Sequence, residues 1–426
     1  MVNRNVAWRP YSPSVVARML GAVCNEVRAP ASCDLSGARV LAAQSWLVGC
    51  GTVLAALAMC YSITAWLAVR RRIHPAGGAP ANAPPVTVLK PLCGAEPALY
   101  ECLRSFCEQD YPQFQIVFGV SNSQDPAVAV VRRLKREFPT KDLRIAIDGR
   151  LHGSSPKVSN LINMTALASY DYLVIADSDV RVTRSYLATV VAPLLDPGVG
   201  IVTCGYRGRP RAGLWSLLGS LFINEWFMPS VRVTAMAGSR SFAFGATIAI
   251  RRHVLDSIGG FRSIANQLAD DYRLGELTRR IGLRTVLSEV VVDTYVGERN
   301  LNELLEHELR WLRTIRAVQP VGHALSFITF SVPVAAIGSL LAGGALPALA
   351  MLGITAGARM LLHFTVHEPG SARSHLLILP LRDTLTFALW SWSFVTRTVR
   401  WRDGHFRVTR NGAFQPVMGR APGHRY

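Results

Sequence analysis

From Val40 to Val69 the chain runs 30 residues without a charged side chain, and Arg70-Arg71-Arg72 follows at once. A helix crossing a bilayer core needs about 20 apolar residues and satisfies all its backbone polar groups internally. The stretch therefore predicts a transmembrane helix over residues 42–69, and the triple Arg puts its C-terminal end on the cytoplasmic side. A cleaved signal peptide fits poorly, because the apolar core is too long and 39 mixed polar residues precede it. Residues 1–41 have no periodic pattern and read as an extension, disordered in the simplest reading.

A second uncharged stretch runs 42 residues, from Ala317 to Ala358, enough for two crossings joined by the Gly/Pro turn "LAGGALP". A third apolar segment, Leu376 to Thr396, contains Arg382-Asp383 near its start, so it is interfacial, re-entrant or packed on its neighbours. Residues 317–398 thus form a membrane region of two or three helices. The tail, 399–426, is basic, and three crossings would put it outside, against the positive-inside preference, so parity stays open.

Net charge is +18. Almost all of the excess is Arg, since Lys occurs at four positions only. Such a balance suits nucleic acid, an anionic membrane surface or phosphate substrates. The Arg residues cluster beside the apolar segments and in one cytoplasmic motif, which argues against nucleic acid. Eight scattered Cys without a C-x-x-C make neither a disulfide framework nor a zinc site.

Between the apolar regions, a Pro/Gly/Ala linker (70–84) leads into residues 85–316, where the pattern changes. β-Branched runs ("VTVL", "QIVFGV", "LRIAI", "YLVIA", "GIVTCGY", "ATIAI") alternate with helix-like stretches such as "AVAVVRRLKREF". That alternation predicts an α/β domain with a mostly parallel, doubly wound sheet, whose ligands bind beyond the carboxyl ends of the strands.

"LVIADSDVRV" puts Asp177 and Asp179 at such an end. In an extended segment residues i and i+2 face one side, so both carboxylates would meet at one spot with Ser178 turned away. Two hard oxygen donors suit Mg²⁺ or Mn²⁺. An Asx-type turn ending the strand is the other reading. Downstream, "ADDYRL" offers Asp271 as a general base or as a helix N-terminal charge. In "HELRWLRTIR", His307, Arg310 and Arg313 share a helical face, fit for a leaving diphosphate or for anionic headgroups. Lys157 opens a helix and faces either phosphate or the sheet. Trp311 walls an acceptor pocket or anchors at the interface. The short apolar helix Gly213–Pro229, carrying Trp226 and only Glu225 as a charge, lies on the membrane beside an entering lipid or is a core helix.

The ordered set "SQDPAVAV", "DSDVRV", "ADDYRL" and "HELRW", with "LKPLCG", "SPKVSNLINM" and "WRDGHFRV", resembles the ceramide glucosyltransferase family of inverting GT-A glycosyltransferases. The resemblance implies Asp125 as a nucleotide-contacting carboxylate, Asp177 on the second Asp motif, Asp271 as the base, and Arg310 and Trp311 in the fourth motif. His307 stands where the family has Gln or Arg. It further implies a UDP-sugar donor met by Lys90, Glu96, Asp125, Lys157, Asp177 and Arg310. Asp177 and Asp179 would hold a divalent metal, and Trp311 and Trp226 would contact a lipid acceptor.

Within that family the wording is most similar to the bacterial hopanoid biosynthesis-associated glycosyltransferases. This implies transfer of N-acetylglucosamine to bacteriohopanetetrol at the bacterial inner membrane, with the catalytic domain facing the cytoplasm. The alternatives are a ceramide or other glycolipid glucosyltransferase, and a non-catalytic scaffold on a degenerate transferase fold. A processive polysaccharide synthase would need more membrane helices.

Overall fold

The computed structural model describes residues 35–71, 82–94, 96, 98–211, 213–367, 375–396, 398–401, 404–408 and 414–416. The N-terminal extension lies almost wholly outside the described residues, as do most of the linker and much of the basic tail.

The first apolar stretch is one helix, Leu35–Arg70, whose apolar part Ala42–Arg70 is 29 residues long. At 1.5 Å per residue that part reaches about 44 Å, more than a bilayer core requires. Its inner face is made of small residues. A Cβ added at Gly51 would stand 2.4 Å from the Gly338 carbonyl oxygen, and one at Gly338 would stand 2.6 Å from that of Gly51. Ala55, Ala58, Ala335, Ala342 and Ala348 are buried around this crossing. Close backbone approach of this kind drives helix association in lipid, where the surroundings are as apolar as the side chains. Trp46, Leu47, Val53 and Leu57 point outward on the other side.

The C-terminal apolar region departs from two plain crossings between 317 and 358. Gly343 and Gly344 do turn the chain, with φ of 63° and 72°. The arm before them, however, is broken into Pro320–Thr329 and Ser331–Leu341, which meet at 73°. The arm after them, Leu346–Val366, runs past Ala358 and carries Arg359 and His363 inside the protein. Arg359 ends the uncharged stretch but not the helix, because Asp383 and Glu225 neutralise it there. Among the described residues, two helices are thus long and apolar enough to cross a membrane, or three if the bent pair is one span. The 14-residue helix Leu379–Trp392 is about 21 Å long, short for a span. It packs on the helix Leu301–Val318, and its Arg382 is buried against Glu308.

The middle of the chain is a mixed, mostly parallel sheet. Its strands are β1 (Val86–Pro91), β2 (Phe114–Val120), β3 (Asp142–Ile147), β4 (Tyr172–Ile175), β5 (Val180–Arg181), β6 (Val199–Pro210), β7 (Ile248–Arg251) and β8 (Arg284–Val296). They lie in the order β3-β2-β1-β4-β7-β6-β8-β5. β3, β2, β1 and β4 run parallel, β7 is antiparallel to both its neighbours, and β6 pairs parallel with β8. Burial on both faces explains the continuous apolar strands. Val86 and Val88 face one core with the helices Leu99–Cys107 and Ala127–Glu137, while Leu89 and Val117 face the other with Pro156–Thr165. Beyond the membrane region β9 (Thr398–Trp401), β10 (Gly404–Val408) and β11 (Phe414–Pro416) form a small antiparallel sheet that takes in part of "WRDGHFRV".

The Gly51–Gly338 contact separates two glycines of one helix. Gly51→Val forces backbones apart and should lower stability by about 1–3 kcal/mol. Gly49→Val, where an added Cβ meets nothing within 4 Å, should leave it unchanged. Thermal unfolding in detergent checks the pair, and equal midpoints would refute the crossing.

Candidate active site

β4 ends at Ile175, and Ala176 still donates its N–H to the Leu89 carbonyl of β1. The chain then turns, with Val180 N donating to Asp177 O at 3.4 Å. Asp177, Ser178 and Asp179 therefore sit in a turn rather than an extended run. This corrects the expected geometry. Ser178 is not turned away, because a turn rotates successive side chains by less than half a revolution. Its hydroxyl donates to Glu96 Oε2 at 2.7 Å, and all three residues line one cavity of about 690 Å³. The turn is closed by backbone, not by an Asp side chain, and leaves both carboxylates on the cavity.

Lys90 does not meet that cavity. It belongs to β1, not to the loop beyond it, and its side chain is fully buried. The ammonium donates to the Asp177 carbonyl and lies 4.1 Å over the Phe106 ring. Burial lowers its pKa to about 8, against the pull of nearby carboxylates. Asp125 is likewise drawn into the framework: both its oxygens accept from Gly94 N at 3.0 Å, and one accepts from Ala127 N at 2.8 Å. It thereby ties the loop that carries Glu96 to the start of the helix Ala127–Glu137. Burial raises the Glu96 carboxyl, opposed by the Ser178 hydrogen bond.

Lys157 enters the cavity from the first turn of the helix Pro156–Thr165, which Ser155 caps. Its Nζ lies 2.6 Å from Asp177 Oδ1 and 3.5 Å from Asp270 Oδ2. Burial would depress the ammonium, but Asp177, Asp270 and Asp271 outweigh it and raise the pKa. Asp271 opens the helix Asp270–Arg280 and accepts from Gly245 N at 2.8 Å and Tyr272 N at 2.7 Å. Burial and the Asp270 charge nonetheless push its carboxyl up to about 7, in the range of a general base. Gly245 stands where these groups converge. A Cβ there would lie 3.2 Å from Asp177 Oδ2, 3.3 Å from Lys157 Nζ and 3.4 Å from Asp271 Oδ2.

Asp179 accepts from the Thr294 hydroxyl, and burial together with Asp177 raises its carboxyl. Carboxylates crowded at one point fit a divalent cation that prefers oxygen donors.

The helix Leu301–Val318 forms the facing wall. Arg310 and Trp311 both line the cavity. Burial lowers the Arg310 pKa, offset by Asp177 and Glu298, and its guanidinium has no hydrogen-bond or ion-pair partner among the described residues. His307 pairs with Glu298 through Nδ1. Arg313 departs from the expected common face: six residues along an α-helix, a side chain points about 120° away from the first. It donates instead to the Thr398 carbonyl at 2.8 Å.

Around Trp311 the cavity turns apolar, with Phe227 and Tyr206 at ring distances of 5.4 and 6.1 Å and with Ile223, Phe242 and Phe244 beyond. Trp226 is not part of this wall. The expected helix Gly213–Pro229 is α-helical to Leu221, widens into a π turn over Phe222–Phe227 and resumes as Met228–Met236. The wide turn splits its aromatics: Phe227 faces the cavity, whereas Trp226 stacks on Phe330 at 5.3 Å and donates to Thr329 Oγ1 at 2.8 Å. The segment is packed between cavity and membrane helices rather than lying free.

Of the expected residues, Glu96, Lys157, Asp177, Asp179, Asp271, Arg310 and Trp311 line one cavity, and Lys90, Asp125 and Trp226 do not. Sequence reading missed Glu298, Thr294, Asp270, Gly245 and most of the aromatic wall. The run "VVVDTY" was the available signal for β8, which delivers Thr294 and leads to Glu298.

Residues 50–414 match the family model described as "Glycosyl transferase family 21". Ceramide glucosyltransferase 3 of Caenorhabditis elegans is 23% identical over 58% of this chain and 54% of its own length. The ceramide glucosyltransferase of Komagataella phaffii is 38% identical over 26% of this chain and 22% of its own length. The chain spans about half, or less, of the curated relatives it matches. Among solved structures, the mannosyltransferase PcManGT from Pyrobaculum calidifontis, in complex with GDP-Man and Mn²⁺, superposes with a TM-score of 0.50 at 21% identity, covering 82% of this chain and 98% of that one. That likeness speaks for a GT-A-like fold. Matched along most of its length, the chain belongs to glycosyl transferase family 21.

Proposed function

We propose that this protein transfers a sugar from a nucleotide diphosphate donor to a hydroxyl of a membrane lipid, with inversion at the anomeric carbon. One observation carries the reading. A single cavity is lined by the charged side chains Asp177, Asp179, Asp271, Lys157 and Arg310, the last without a hydrogen-bond or ion-pair partner among the described residues, and by the aromatic side chains Tyr206, Phe227, Phe242, Phe244 and Trp311. A charged, water-soluble donor and an apolar acceptor require two linings of this kind in one cavity.

Asp177 and Asp179 would hold Mg²⁺ or Mn²⁺, which neutralises a leaving diphosphate. Arg310 supplies a planar guanidinium to the same diphosphate, and Lys157 keeps Asp177 and Asp270 from repelling it. Asp271, held by two backbone N–H groups, takes the acceptor proton as the hydroxyl attacks from the face opposite the nucleotide. Glu96 stands on the nucleotide side. Lys90 and Asp125 act through others: one fixes the Asp177 turn and the other the loop bearing Glu96.

In its finer form the donor is UDP-N-acetylglucosamine and the acceptor bacteriohopanetetrol, in hopanoid biosynthesis. This rests on the wording of the motifs. The second reading, glucose transfer to ceramide, is favoured by the relatives in worm and yeast. The membrane would be the bacterial inner membrane, with Arg70-Arg71-Arg72 marking the cytoplasmic side that bears the cavity.

Membranes containing the protein, with Mg²⁺, are offered UDP-N-acetylglucosamine or UDP-glucose together with bacteriohopanetetrol or ceramide, and lipid products are read by mass. The expected product is a hexosamine adduct of the hopanoid, reduced about 10²–10⁴-fold in Asp271→Asn. Glucosylceramide would replace the finer reading, and no product from any pair would sink the enzyme reading. Gly245→Ala should cut turnover at least about tenfold with the unfolding temperature retained, since its methyl displaces Asp177, Lys157 or Asp271. Undiminished turnover would mean that these three groups do not need their present spacing.

A further inference from the structure

Glu225 is the only charge in the apolar segment that walls the cavity, and it faces away from the cavity toward the membrane helix Leu346–Val366. The π turn that sends Phe227 inward sends Glu225 outward, and π turns of this sort recur at functional sites. On the membrane helix, Arg359, His363 and His367 follow one another at four-residue spacing and so share a face. Glu225 Oε1 meets His363 Nδ1 and His367 Nε2, each at 2.7 Å, and Oε2 lies 2.6 Å from Arg359 Nη1. Arg359 is held from behind by Asp383 through three contacts of 2.8 to 3.2 Å. His363 is fully enclosed and Glu225 is 6% exposed.

With neutral imidazoles this cluster attracts a cation. Two carboxylates, Glu225 and Asp383, oppose one guanidinium, so with neutral imidazoles the group carries a net negative charge among apolar side chains. One carboxylate oxygen and two imidazole nitrogens within 4.8 Å of one another form a ligand set for a divalent ion. Nitrogen-rich ligation suits zinc, in contrast to the all-oxygen pair Asp177 and Asp179, which suits magnesium or manganese. Arg359 on the second oxygen of Glu225, itself fixed by Asp383, is the kind of outer partner that orients a ligating carboxylate. The ring centre of His375 lies 5.9 Å from that of His367, outside the three-residue ligand group.

We propose that Glu225, His363 and His367 bind a zinc-class divalent ion, separate from the sugar-transfer cavity. The ion pins the Phe222–Phe227 turn to the membrane helix. Ile223 and Phe227 of the same turn line the cavity, so the ion would hold the apolar wall in register with the membrane.

The test needs no sugar transfer, so its failure is distinct from failure of the proposed function. The full chain is purified in detergent through a histidine-free tag, without added metal, and its metal content is measured. Roughly one zinc per chain is expected. Replacement by Co²⁺ should give the intense visible absorption of a four-coordinate site. The double variant His363→Ala/His367→Ala should lose both signals, while Asp177→Asn/Asp179→Asn keeps them. Unfolding is recorded alongside, and His367→Gln, at the less enclosed position, repeats the test if the double variant does not fold. Wild-type protein that neither carries zinc nor takes up Co²⁺, or zinc that persists in both histidine variants, would overturn the proposal.

Discussion

The bidentate pair between Glu308 and Arg382 fixes the helix that walls the cavity against the C-terminal apolar helix Leu379–Trp392. Nη1 and Nη2 of Arg382 each meet one Glu308 oxygen, and the same guanidinium reaches Thr386 Oγ1 and the Leu218 carbonyl. Three helices therefore share one buried cation. Removing a single partner of such a pair typically costs about 3–5 kcal/mol, because the other charge is left unpaired in an apolar setting. Glu308 lies two and three residues before Arg310 and Trp311, so the wall of the cavity takes its position from this contact. A sheet domain merely tethered by a helix would not need it.

The cavity itself is a problem in electrostatics. Asp177, Asp270 and Asp271 converge around Lys157 and Gly245, with Asp179 on the same cavity, and Arg310 lines it without a hydrogen-bond or ion-pair partner among the described residues. Separation of roles follows from surroundings: Asp271 is raised by burial and by Asp270, whereas Lys157 stays charged because three carboxylates outweigh its burial. The aromatic rings that line the same cavity have no charge to offer. In the proposed function, a donor rich in phosphate would meet the charged lining and an acceptor rich in hydrocarbon the aromatic one.

Much of this was legible in the sequence, and the failures have physical causes. β1, β2, β4, β6 and β7 stood out because strands buried on both faces are continuous apolar runs, β3 because of its β-branched and apolar residues, and the Asp pair because it ends one such run. What period and composition do not encode is conformation at element ends. Asp177 to Asp179 was read as extended and is a turn, so Ser178 joined the site. Lys90 is expected at the UDP-sugar, yet it is buried in β1, where its ammonium meets the Asp177 carbonyl and the Phe106 ring. Arg359 looked like the end of a membrane helix because a charge usually is; its partners, Glu225 and Asp383, are 134 residues before it and 24 after it. Trp226 and Phe227 are adjacent, and only the π turn decides which faces the cavity. Glu225, alone in an apolar segment, was the visible trace of that long-range pairing.

The central claim is that Asp271 activates the lipid hydroxyl on the face of the sugar opposite the departing nucleotide. The anomeric configuration of the product tests it most directly. The lipid glycoside formed from an α-linked UDP-sugar is isolated, and the coupling between its first two ring protons is read by proton NMR. A β-glycoside, with the large coupling of two axial protons, is the predicted result. An α-glycoside would require a nucleophile on the other face and would contradict the role given to Asp271.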